Sequence, residues 1–106
     1  MTSKALTINS GSAVSEVFNL QHAKGATLHL PVVTSGSVYL QASPDETAAN
    51  FVRVHNSLGS LWQFDAAAGS LAMTLGDDVL GGIGFARIET SVNQAAPRTL
   101  NILFKL

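Results

Sequence analysis

Arg98-Thr99-Leu100-Asn101-Ile102-Leu103-Phe104-Lys105-Leu106 places Leu100, Ile102 and Phe104 at alternate positions, with Thr99, Asn101 and Lys105 on the other parity and Leu103 contributing partly to that second face. Side chains on a β-strand point to opposite faces in turn, so this spacing predicts a strand with one apolar face. The same period recurs upstream. Ala86, Ile88 and Thr90 oppose Phe85, Arg87 and Glu89; Val38, Leu40 and Ala42 oppose Tyr39 and Gln41. Leu6 and Ile8, then Leu28, Leu30 and Val32, then Leu71, Met73 and Leu75 repeat it again. Turn-forming residues separate the runs, among them Asn9-Ser10-Gly11-Ser12 and Ser35-Gly36. No segment of useful length shows the 3.6-residue period of a helix. About eight short strands in one chain predict an all-β fold, a two-sheet antiparallel sandwich of jelly-roll type, occupying residues 1–106 as one domain.

Four stretches are less regular. Ala13 to Leu20 reads as a short second strand, and Pro31 favours an edge, bulge or strand end because it donates no ladder hydrogen bond. In Phe51-Val52-Arg53-Val54-His55 the valines are expected to face inward, which puts Phe51, Arg53 and His55 on the opposite face. Leu58 to Phe64 has no clear phase, since Leu58, Trp62 and Phe64 share one parity and Leu61 and Gln63 the other. Gly76 to Gly84 holds four glycines and reads as a helical turn or tight crossing loop. The strands between Ser37 and Leu75 are expected to pair with their neighbours in sequence.

Only 13 of the 106 residues are charged, about half the usual share, which leaves the surface weakly defended against association and favours an oligomer or a larger assembly. The net charge of −1 and the scattering of Lys4, Lys24, Arg53, Arg87, Arg98 and Lys105 exclude the basic cluster that a nucleic-acid binder uses to displace counterions. Without cysteine there is no disulfide framework or thiolate metal site. No apolar run approaches a membrane span, and Met1-Thr2-Ser3-Lys4 leads into an alternating strand, so an unprocessed protein made in the cytoplasm is expected.

Catalytic and cofactor chemistry finds no foothold in the spacing. His22, His29 and His55 lie on separate predicted elements, and neither Asp45-Glu46 nor Asp77-Asp78 extends to a calcium-loop pattern. Gly81-Gly82-Ile83-Gly84 lacks the Lys-Ser or Lys-Thr of a phosphate loop, and no nucleophile elbow occurs. We expect no enzyme activity, metal or cofactor. Two surfaces remain. Phe51, Arg53 and His55 with Phe85, Arg87 and Glu89 form a candidate protein interface. Tyr39, Gln41, Trp62 and Gln63 could instead offer aromatic faces and amides to a sugar, the alternative being that the single Trp is a core residue.

Asn9-Ser10-Gly11, Val17-Phe18-Asn19-Leu20, Val38-Tyr39-Leu40-Gln41-Ala42-Ser43-Pro44-Asp45, Phe51-Val52-Arg53-Val54, Phe85-Ala86-Arg87-Ile88 and Ala96-Pro97-Arg98-Thr99-Leu100 follow one another along most of the chain. In that order they resemble a family of small virion structural proteins of tailed bacteriophages and prophages. The chain departs from the family pattern at Pro31 and at Tyr39-Leu40-Gln41. The resemblance implies a β-sandwich that docks in many copies as a capsid decoration protein, or else a neck or tail module. Its implied partners are the major capsid protein or other virion proteins and further copies of itself, as in a trimer, with no role for nucleic acid or membrane.

Overall fold

The structure, a computed structural model, describes residues 2–21, 23–30, 36–47, 50–55, 59–65, 71–75 and 84–105. Nine strands are present among these residues: β1 (Thr2–Ile8), β2 (Phe18–Asn19), β3 (Gly25–Leu30), β4 (Ser37–Ser43), β5 (Val52–Arg53), β6 (Gln63–Asp65), β7 (Leu71–Leu75), β8 (Phe85–Thr90) and β9 (Arg98–Lys105). They form two antiparallel sheets. One runs β1-β9-β3-β7; the other runs β2-β8-β4-β5, with β6 also on β4.

β5 and β6 are two halves of a single edge strand. Descending β4, Ala42 and Gln41 pair with Val52 and Arg53, Leu40 accepts the Val54 N–H, and Tyr39 to Ser37 pair with Gln63 to Asp65. The two halves are joined where the edge strand breaks by the His55–Leu61 bridge and by the Trp62 N–H on the Val54 carbonyl. Counting this broken edge once gives eight strands in the orders 1-8-3-6 and 2-7-4-5, which is a jelly roll. The expected sandwich is therefore found. Sequential pairing holds only for β4 with β5 and β6, because β7 crosses to the other sheet and lies beside β3.

The alternating apolar positions meet between the sheets. Leu6, Ile8, Leu28, Leu100 and Ile102 from the first sheet pack with Val38, Leu40, Ala86 and Ile88 from the second, joined by Phe18, Leu20, Ala26 and Leu75. The irregular segment 13–19 closes one side of this sandwich. Ser15 bridges to Ile8 of one sheet while Val14 bridges to Glu89 of the other. The buried Ser15 hydroxyl accepts the Ile88 N–H at 2.9 Å, so a side chain completes the ladder where the strand breaks. Only Phe18 and Asn19 of the expected second strand are a strand proper. Gln94, 1% exposed, donates from Nε2 to Thr90 Oγ1 and to the Val92 carbonyl, and its backbone joins Gly11 and Ser12 to the 91–97 turn.

Gly36 opens β4 at φ +85°, where an added Cβ would collide with the Ser91 hydroxyl. That hydroxyl accepts the Ser37 N–H at 2.9 Å. Gly36→Ala is expected to destabilise by about 2 kcal/mol, the sum of left-handed backbone strain and a displaced hydrogen bond, read as a lower urea midpoint. Gly11, at φ +80° with open space around its Cβ position, incurs the strain without the collision. The Pro31 region, His22, Asp77-Asp78 and Gly81-Gly82-Ile83 lie outside the described residues.

Candidate interaction face

Register on the five-stranded sheet brings distant positions together. Tyr39 lies opposite both Glu89 of β8 and Gln63 of β6, while Gln41 lies opposite both Arg87 of β8 and Arg53 of β5. Opposed residues in an antiparallel pair share a face, so these six side chains stand on the outer surface of the sheet. The residues expected as a protein interface and those expected as a sugar platform are therefore largely one surface. His55 and Trp62 are outside it, at the break between β5 and β6.

A continuous ladder crosses this face. Arg53 donates from Nε and Nη2 to the two carboxylate oxygens of Glu89, each at 2.9 Å. Gln41 Nε2 donates to Glu89 Oε1 at 2.9 Å, and Arg87 Nε donates to Gln41 Oε1. Each arginine also lies on an aromatic ring, Arg53 at 4.0 Å from the centre of Tyr39 and Arg87 at 4.7 Å from that of Phe51. The forked pairing and the stacking hold both guanidinium groups in fixed planes.

Ionisation follows from these contacts. The Arg53 hydrogen bonds hold the Glu89 carboxyl below its ordinary range; partial desolvation opposes this, and Gln41 adds to it. The Glu89 hydrogen bonds in turn raise the Arg53 pKa. At one end of β4, Asp45 is likewise held low, first by the Thr47 N–H and then by Asn50 Nδ2. That loop is closed on itself: the Asp45 oxygens serve as turn acceptors.

Three expectations about side-chain placement change. Phe51, expected as an exposed contact residue, is only 8% exposed and acts as the platform beneath Arg87. Val52, expected inward, is 66% exposed on the two-residue edge strand. Trp62 packs half-buried against the core, and the described contact on the Tyr39 ring is Arg53, so the two aromatic faces of the sugar platform do not stand together. Phe85 remains half-buried on the outer face, two residues before Arg87. His55 is exposed where it bridges to Leu61, and Gln63 is exposed opposite Tyr39.

The outer face of the other sheet differs in chemistry. A shallow groove of about 420 Å³ runs over Thr27, His29, Leu103 and Lys105, with a lining that is almost wholly apolar. Among the described residues no group of three or more His, Asp or Glu could hold a metal ion, and no helix is long and apolar enough to cross a membrane.

No family model and no curated protein sequence matches the chain. Among solved structures it is similar to PirA, with a TM-score of 0.50 and 11% identity over 97% of this chain and 93% of that one. It is also similar to the Yersinia pseudotuberculosis-derived mitogen, with a TM-score of 0.45 and 11% identity over 99% of this chain and 84% of that one. At such identity the likeness to PirA shows a shared β-sandwich fold and nothing of function.

Proposed function

We propose that the chain is a structural protein of a tailed-phage or prophage virion, one that decorates the head lattice in many copies as a small homo-oligomer. The phage assignment rests on the sequence resemblance. The observation that supports a docking role is the outer ladder Tyr39–Arg53–Glu89–Gln41–Arg87–Phe51, in which arginines and aromatic rings are ordered before any partner arrives. Arg and Tyr are enriched among the residues that dominate interface energetics, and prior ordering lowers the entropy lost on docking. The low overall charge suits a protein that ends in a closely packed assembly.

Copy number tests this reading. Particles are purified from a lysate in which the protein is made, and its amount is measured by mass spectrometry against the major capsid protein. Comparable abundance is expected for lattice decoration. A small fixed number per particle moves the assignment to the neck or tail, and absence from particles overturns it.

A further inference from the structure

Within the ladder the two arginines are not equivalent. Both Glu89 oxygens accept from Arg53, and Oε1 accepts from Gln41 as well, so the carboxylate takes three hydrogen bonds from these two side chains. Among the described contacts Arg87 makes no hydrogen bond to that carboxylate; it acts on it through space and through Gln41, spending Nε on the amide and resting its plane on Phe51. The ladder itself therefore holds two cations and one anion, and Arg87 is the cation with no direct hydrogen bond to that anion. The terminal nitrogens of Arg87 make a planar donor fork, held by a half-buried side chain on a central strand and flanked on the same face by Phe85.

We infer that Arg87 is the anchor of this docking face and that its occupant is an acidic segment of a partner protein, whose carboxylate takes the free edge of the guanidinium. Charge complementarity selects a carboxylate over a neutral or basic surface. The fork favours an oxygen pair over a single acceptor. Gln41 is a positioning residue: bonded to Arg87 and Glu89 at once, it keeps the guanidinium from folding onto the internal carboxylate. The inference rests on the docking role proposed above but not on which particle supplies the partner.

The test uses the intact 15N-labelled protein and an acetylated, amidated hexaglutamate peptide as probe, with the arginine Nε–Hε resonances and the Gln41 side-chain amide as readouts. The expected result is a saturable shift of the Arg87 resonance with little movement at Arg53. Arg87→Gln should abolish the peptide-induced shift of the Gln41 side-chain amide while the Arg53 resonance keeps its place, showing that the rest of the ladder is intact. Arg87→Lys, which keeps the charge and loses the fork, should weaken that amide response severalfold. Equal shifts at Arg53, Arg98 and the lysine-bearing segments would overturn the assignment, as would inorganic phosphate moving Arg87 at the same concentration. Particles that carry Arg87→Gln at wild-type abundance would overturn it while leaving the virion reading standing. Selective peptide binding by a protein absent from particles would do the reverse.

Discussion

Ile102→Ala is expected to destabilise the domain by about 3–4 kcal/mol and to lower its melting temperature by roughly 15–25 °C. Ile102 is fully buried and sits on β9, with Lys4 of β1 on one side and Leu28 of β3 on the other. A strand hydrogen-bonded along both edges cannot move inward to fill the space left by the missing atoms, so most of the cavity persists. A domain of this size has about 5–15 kcal/mol of stability in total, and the variant should populate unfolded chains at growth temperature. Val52→Ala removes a branched residue too, yet Val52 is 66% exposed and the change should stay within about 0.5 kcal/mol. Thermal melts and urea titrations of the two variants check both values. Equal losses would show that the edge strand packs inward after all.

That contrast marks where sequence reading succeeds and where it stops. The long strands β1, β4, β8 and β9 show their period because each runs for six to eight residues with one side against the core. Burial on one face filters every second residue toward apolar types, and the filter leaves a visible trace. β5 has two residues, too few for a period to average over. Val52 is apolar but exposed, while its neighbour Phe51 is buried and carries the guanidinium of Arg87 from β8. The phase of β6 is hidden for a related reason: the edge strand is broken between Val54 and Trp62, and alternation counted straight through the break has no meaning.

The candidate face was legible as residue types and not as a site. Phe85, Arg87 and Glu89 share a strand, and Tyr39 and Gln41 share another, which alternation reveals. Their union requires the pairing of β8, β4 and β5, and the ladder bonds span 36 to 48 residues of sequence. Local patterns do not encode register at that distance. Arg–Glu and Arg–aromatic pairs across strands are the physical signal that could have joined the two sets. Arg53, Arg87, Glu89 and Tyr39 are members of such pairs, but the choice among pairings depends on the fold.

Arg53→Glu should invert the pH dependence that this ladder contributes to stability. In the wild-type protein the Glu89 carboxyl is held below its unfolded value, first by the Arg53 hydrogen bonds. A group with a depressed folded pKa stabilises above its unfolded pKa of about 4.3, and that contribution disappears as pH falls through the lower folded value. The variant sets a second carboxylate against Glu89. Repulsion then raises the folded pKa, so the penalty is complete near neutral pH and is relieved as the pair takes up a proton on acidification. Asp45 is also held low, and its contribution is lost in acid in both proteins. The informative quantity is therefore the difference between the two urea midpoints, which should be widest near neutral pH and close steadily down to about pH 3.5. If the face docks as proposed, the same substitution reverses the charge beside Tyr39 and releases Gln41 from its place, and particle occupancy should fall roughly tenfold. A midpoint difference that stays constant with pH would mean that the Arg53–Glu89 pair does not form in solution, and the ordered ladder would lose the bond that fixes its plane.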